Sequence, residues 1–89
     1  MVKTTDKHLD ILGYIYEYKN RVGYAPTIRD ICKEFDIAST STGLYWLGKL
    51  QKLGYLTSLP HAKRSWVITE TGHEELKVYF AALVALGTD

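Results

Sequence analysis

The chain has 89 residues, 46% of them hydrophobic, and a formal net charge of +1. That length fits one domain with a modest core and a small stability margin. The N-terminus lacks a signal-peptide run, nothing approaches the ~20 apolar residues of a membrane span, and one cysteine makes no internal disulfide, so the expectation is a cytoplasmic protein.

Thr5 is a plausible N-cap, with Asp6 favourably placed in the first turn. Leu9, Leu12, Ile15, Tyr16 and Val22 recur at helical spacing, joined by Ile11 and Tyr18. They predict a helix from about Asp6 to Val22 with a wide apolar face. Gly13 inside it suggests a close neighbour. Lys19 and Arg21 read as a solvated edge. Gly23 closes the helix, and Gly23-Tyr24-Ala25-Pro26 leads onward.

Thr27 with Asp30 has the form of a capping box. Ile28, Ile31, Cys32 and Phe35 then give a short helix one apolar face. Cys32 on that face reads as a small core residue. Asp36-Ile37-Ala38 interrupts the pattern, and Ser39 offers a new N-cap. Gly43, Leu47, Leu50 and Leu53 follow on one face of a longer helix, which Gly54 ends as a C′ glycine. Two helices joined by a turn of about three residues form a helix-turn-helix. The second opens with Ser39, Thr40, Ser41 and Thr42. A hydroxyl-rich first turn suits a helix end that meets phosphates and base edges. Helical spacing from Leu50 and Leu53 places Trp46 at the core edge and Tyr45 outward.

Tyr55-Leu56-Thr57-Ser58-Leu59 and Ser65-Trp66-Val67-Ile68-Thr69 are short β-branched or aromatic runs around Pro60-His61-Ala62-Lys63-Arg64. They predict a β-hairpin with His61, Lys63 and Arg64 at its tip. A basic hairpin directly after a helix-turn-helix is the wing of a winged helix. The charge distribution agrees. In residues 1–36 six bases and six acids cancel, whereas residues 37–69 carry Lys49, Lys52, Lys63 and Arg64 and no acid. A polyanion can approach such a segment without repulsion.

The runs GYAPTIRDICKEFDIAS, LGKLQKLGYLT and RSWVIT resemble the N-terminal winged-helix domain of the LexA family of SOS-response repressors. The resemblance covers residues 5–69. It implies sequence-specific binding of double-stranded DNA in the major groove by the third helix, with Ser39, Ser41, Thr42 and Tyr45 in the base-reading positions. Leu44 and Tyr45 stand where the family tends to carry polar or acidic side chains, so the resemblance does not carry the family's operator over to this chain. In 89 residues the family's self-cleaving second domain has no room, and self-cleavage is not expected.

Residues 70–89 carry four acids and one lysine. A helix is predicted from about Thr71 to Leu86, and the ITETGHEEL stretch that leads into it looks like the wing exit of small MarR-like and PadR-like regulators. Leu76, Tyr79, Phe80, Leu83, Val84 and Leu86 make a broad apolar surface on this helix. Part can cover the domain's own core. The remainder fits a second copy of the chain, with Leu76, Tyr79, Phe80 and Leu83 at the contact.

No other chemistry is legible. His8, His61 and His73 are dispersed and one cysteine gives no zinc spacing. Ser39 and Ser41 have no histidine or lysine placed to activate them, and Asp6 and Asp10 read as solvated. No enzyme activity, metal, cofactor, small-molecule ligand or membrane association is expected. The expected fold is mainly α with a small β-hairpin: a single winged helix-turn-helix domain over 1–89, with a C-terminal helix as a possible dimerisation element. The expected function is a small transcriptional regulator or repressor acting as a homodimer, nucleoid-associated if prokaryotic or viral. Thr27, Ser39, Thr40, Ser41, Thr42, Tyr45, Lys49, His61, Lys63 and Arg64 form the expected DNA-contacting set. The alternative is a winged-helix protein-interaction module that uses Leu44, Tyr45 and Trp46 as an apolar patch.

Overall fold

A computed structural model describes residues 7–58 and 66–87. Three helices, a two-stranded hairpin and a fourth helix follow one another: α1 (Lys7–Val22), α2 (Ile28–Glu34), α3 (Thr40–Lys52), β1 (Leu56–Ser58), β2 (Trp66–Ile68) and α4 (Glu70–Gly87). This is the winged helix-turn-helix with a C-terminal helix that the periodicity predicts. The proposed cap at Thr5 and the hairpin tip lie outside the described residues.

The local sequence signals account for the element boundaries. Gly23 takes φ 100° at the end of α1, a conformation that costs glycine little. Thr27 and Asp30 form the capping box in full. The Asp30 amide donates to the Thr27 hydroxyl at 3.2 Å, and the Thr27 amide donates to Asp30 Oδ2 at 2.9 Å. At the end of α2, Asp36 adopts φ 54°, and the Ile37 amide bonds back to the Cys32 carbonyl at 2.9 Å. That bond satisfies a carbonyl the helix would otherwise leave open. Gly54 ends α3 at φ 80° in a Schellman arrangement. Its amide bonds to the Gln51 carbonyl and that of Tyr55 to the Leu50 carbonyl, both at 3.0 Å.

The core forms where α1, α3, the hairpin and α4 meet. Ile11, Leu12 and Ile15 of α1, Ile31 of α2, and Leu47 and Leu50 of α3 are fully buried. Phe35, Leu56, Ile68, Leu76 and Tyr79 complete the cluster. Gly13 is buried, as expected of a glycine in the packed face of α1. Each large aliphatic side chain buried this way contributes roughly 1.5–3 kcal/mol of transfer free energy. The hairpin pairs antiparallel, with Leu56 opposite Ile68 and Ser58 opposite Trp66. This register puts Leu56 and Ile68 on the core side together.

Two expectations fail here. Asp10 is not solvated. It is 2% exposed and accepts a 2.6 Å hydrogen bond from the Tyr79 hydroxyl of α4. Leu76 and Tyr79, expected at a contact between copies, are themselves 2% and 5% exposed. They face α1 because α4 must cover the apolar stripe that α2 and α3 leave open. Phe80 and Leu83 are half-buried, and Phe80 packs on Tyr16 at a ring distance of 5.7 Å. Among the described side chains, Val78 and Val84 are the large apolar ones that α4 turns outward, at 66% and 67% exposure.

Helix α4 starts at Glu70, one residue before its predicted start, and Thr69 is its N-cap. Its hydroxyl accepts from the Gly72 amide at 3.0 Å and donates to the Gly54 carbonyl, while its own amide bonds to the Tyr55 carbonyl at 3.1 Å. One threonine thus caps α4 and ties it to the end of α3.

Candidate nucleic-acid interface

The second half of the helix-turn-helix is held by close backbone approach. A Cβ on Gly43 would lie 2.8 Å from both Cys32 Sγ and Ile28 Cδ1 of α2. Glycine therefore lets the first turn of α3 sit directly on α2. The Cys32 thiol also donates to the Ser39 carbonyl at 3.7 Å, joining the turn to the helix before it. Ser39 caps α3, its hydroxyl accepting from the Ser41 amide at 3.1 Å. The inward face of α3 is Gly43, Leu47 and Leu50, all buried.

The opposite face is the candidate site. Ser39, Thr40, Ser41 and Thr42 are exposed, as are Leu44 and Tyr45, the last at 63%. Residues spaced three and four apart share one helical stripe. Ser41, Thr42, Tyr45, Gly48, Lys49 and Lys52 therefore line up along α3 from its first turn to its last. Tyr45, Gly48, Lys49 and Lys52 border a shallow cleft of about 340 Å³. Its floor is low because Gly48 has no side chain and open space above it. α3 carries no acidic residue, and Lys49 and Lys52 lie in its last turn. Its positive N-terminal dipole end and its bases therefore favour an anion at both ends of the stripe.

Trp46 sits beside this stripe, half-buried at the core edge as its spacing predicts. Tyr45 meets it edge to face at 5.4 Å between ring centroids. The Lys49 ammonium lies 5.2 Å from the Trp46 ring centre, and Lys7, the first residue of α1, lies 5.8 Å from the same ring. Each such contact is worth about 0.5–1 kcal/mol at a surface site. Lys7 escapes a reading by segment charge, because its neighbours in sequence cancel it. Only the packing of α1 on α3 brings it to this face.

Of the expected contact residues, the structure brings Ser39, Thr40, Ser41, Thr42, Tyr45 and Lys49 onto one helix. Thr27 stands apart from them. It is half-buried, and its hydroxyl oxygen is engaged by the Asp30 amide in the capping box. His61, Lys63 and Arg64 lie outside the described residues. Among the described residues, no group of three or more His, Cys, Asp or Glu side chains is placed to hold a metal ion. No described helix is long and apolar enough to cross a membrane.

Comparison with known proteins agrees with this geometry. Residues 1–65 match the LexA DNA binding domain. The LexA repressor of Lactiplantibacillus plantarum is 39% identical over 79 residues, which take in 88% of this chain and 38% of the repressor. That of Enterococcus faecalis is 35% identical over 85 residues, or 96% and 41%. That of Lactobacillus johnsonii is 37% identical over 73 residues, or 82% and 35%. The chain thus spans about two fifths of the length of these curated relatives. The Enterococcus faecalis alignment covers so much of the chain that it runs into α4, beyond the family match at residue 65. A helix-turn-helix with an exposed, acid-free third helix and a hairpin after it, matched over residues 1–65, places this chain in the LexA DNA-binding domain family.

Proposed function

We propose that the chain binds double-stranded DNA in a sequence-specific way and acts as a transcriptional repressor. The observation that carries this is the exposed stripe of α3. Hydroxyls occupy its first turn, an aromatic its middle and two lysines its end, with no acid anywhere on the helix. Such a helix fits the major groove, where hydroxyls serve several base edges and phosphates accept the lysines. Repression follows from the printed name of the relatives, LexA repressor. Residues 59–65 supply the wing on the DNA backbone in this reading.

The working unit is a homodimer in the cytoplasm, joined through the outward side of α4. A regulator of this kind is no catalyst. Support for the dimer comes from Val78 and Val84, exposed apolar residues on a helix whose last ten residues, 78–87, carry no charge. The test is selection of bound sequences from a random duplex pool, followed by anisotropy titration of the selected site against scrambled DNA. A selected motif bound at least a hundredfold more tightly supports specific recognition. Equal affinity for both duplexes would leave only non-specific DNA binding.

A further inference from the structure

We propose that Lys7 and Lys49 form a two-cation clamp on the DNA phosphate backbone, with Trp46 as the platform that holds both. The proposal rests on the DNA-binding reading above and extends it to the start of α1, which has no part in the helix-turn-helix.

Lys7 and Lys49 come from different helices and reach the same indole, at 5.8 and 5.2 Å from its centre. The sum of those distances, 11.0 Å, is the furthest apart their nitrogens can be. Two like charges within that distance build one positive patch, which a polyanion neutralises. An indole face orients an ammonium group without neutralising it, unlike a carboxylate. The indole contact therefore leaves both charges to meet an incoming phosphate. A duplex strand carries one charge about every 3.4 Å of helix axis, so a span of this size takes in neighbouring phosphates.

The platform is itself braced. Trp46 is half-buried against the core, and Tyr45 packs edge-on against it at 5.4 Å. Tyr45 and Lys49 also belong to the outward stripe of α3. The clamp therefore borders the surface that would enter the groove, where the flanking backbone passes.

The experiment is the salt dependence of binding, measured by anisotropy on one duplex for the whole chain and its variants. Lys7→Ala should reduce the slope of log affinity against log salt by about 0.9, the loss of one phosphate contact. Lys49→Ala should do the same, and the double variant should lose about 1.8. Lys7→Arg should restore the slope. Trp46→Leu keeps both charges but removes the platform, so it should weaken binding by several-fold with a smaller change in slope. Lys77→Ala, on the exposed side of α4, is the control and should change nothing. Thermal melts confirm that each variant is folded. If Lys7→Ala leaves the slope where Lys77→Ala leaves it, the clamp is wrong while DNA binding stands. If the unmodified chain shows no salt-dependent DNA binding, the reading beneath the clamp falls and the clamp falls with it.

Discussion

The Tyr79 hydroxyl donates a 2.6 Å hydrogen bond to Oδ1 of Asp10, and both side chains are buried between α4 and α1. A buried carboxylate is costly unless it is hydrogen-bonded. The bond therefore ties the C-terminal helix to the fold at a defined register. Removing the hydroxyl in Tyr79→Phe keeps the ring but takes a donor from a buried acceptor. We expect a loss of about 1–3 kcal/mol at neutral pH. Urea unfolding followed by far-ultraviolet circular dichroism measures it.

The same pair predicts a pH dependence. Burial first, then the hydrogen bond and the charge of Asp10, hold the Tyr79 hydroxyl well above its ordinary value near 10. In the unfolded chain the group ionises at that ordinary value. A proton held more tightly in the folded state gives stability that is complete below pH 10 and is lost as the pH climbs beyond it. The stability difference between the unmodified chain and Tyr79→Phe should accordingly hold up to about pH 10 and shrink between pH 10 and about pH 12. A constant difference across that range would show that the raised value is not coupled to folding.

Gly72 predicts a steric effect at the other end of α4. A Cβ there would stand 2.2 Å from the Tyr55 carbonyl oxygen and 2.8 Å from Ile68 Cγ2. The oxygen belongs to the backbone and accepts the Thr69 amide, so it cannot swing aside. Gly72→Ala should cost about 1–3 kcal/mol, as overpacking does, even though alanine is the better helix former. Thr69→Ala should cost about 0.5–2 kcal/mol through the lost cap. Because the two residues share one hydrogen bond, the double variant should lose less than the sum. Chemical unfolding of the three variants tests this.

These two ends of α4 show where the sequence is silent. The signals at Thr27, Ser39 and Gly54 are local, each with its partner within a few residues, and spacing alone reveals them. Periodicity likewise separates Tyr45 from Leu47 on α3, because the helix turns them to opposite sides. Asp10 and Tyr79 are far apart in the chain, and nothing near Asp10 announces a buried acid. The apolar face of α4 is legible as apolar. Which residues of it face inward depends on the angle at which α4 crosses α1, and Thr69 and Gly72 set that angle by contact with the end of α3. Lys7 belongs to the same class, a residue that reaches the α3 face only through helix packing.

Recognition by α3 predicts a split between specific and random DNA. Thr42 and Tyr45 are exposed on the outward stripe, clear of the core. Alanine at either position should cost about 1–3 kcal/mol on the selected site and little on scrambled duplex. Lys63 and Arg64 should behave in the opposite way. Changing both to alanine should weaken binding to all duplexes alike and make the salt dependence shallower by roughly two phosphate contacts. Parallel anisotropy titrations decide between the two patterns. Equal losses on both duplexes for Thr42→Ala would make α3 a positioning element and not a reader.

A single winged helix neutralises few phosphates, so one copy alone should hold DNA weakly. Two linked copies gain through effective concentration, and a two-fold pair reads an inverted repeat. Leu76 and Tyr79 are poor places to test this, because they are buried in the core and a charge there would unfold the chain. Val78 and Val84 are exposed, so a charge at either position leaves the core intact. Val78→Glu and Val84→Glu should each keep the melting temperature within a few degrees and shift the chain from dimer to monomer by light scattering. Binding to an inverted repeat should weaken by tenfold or more, while binding to an isolated half-site should not change. If the unmodified chain scatters as a monomer at tens of micromolar and still binds the repeat tightly, α4 serves only to close the core over α1, and pairing must arise elsewhere.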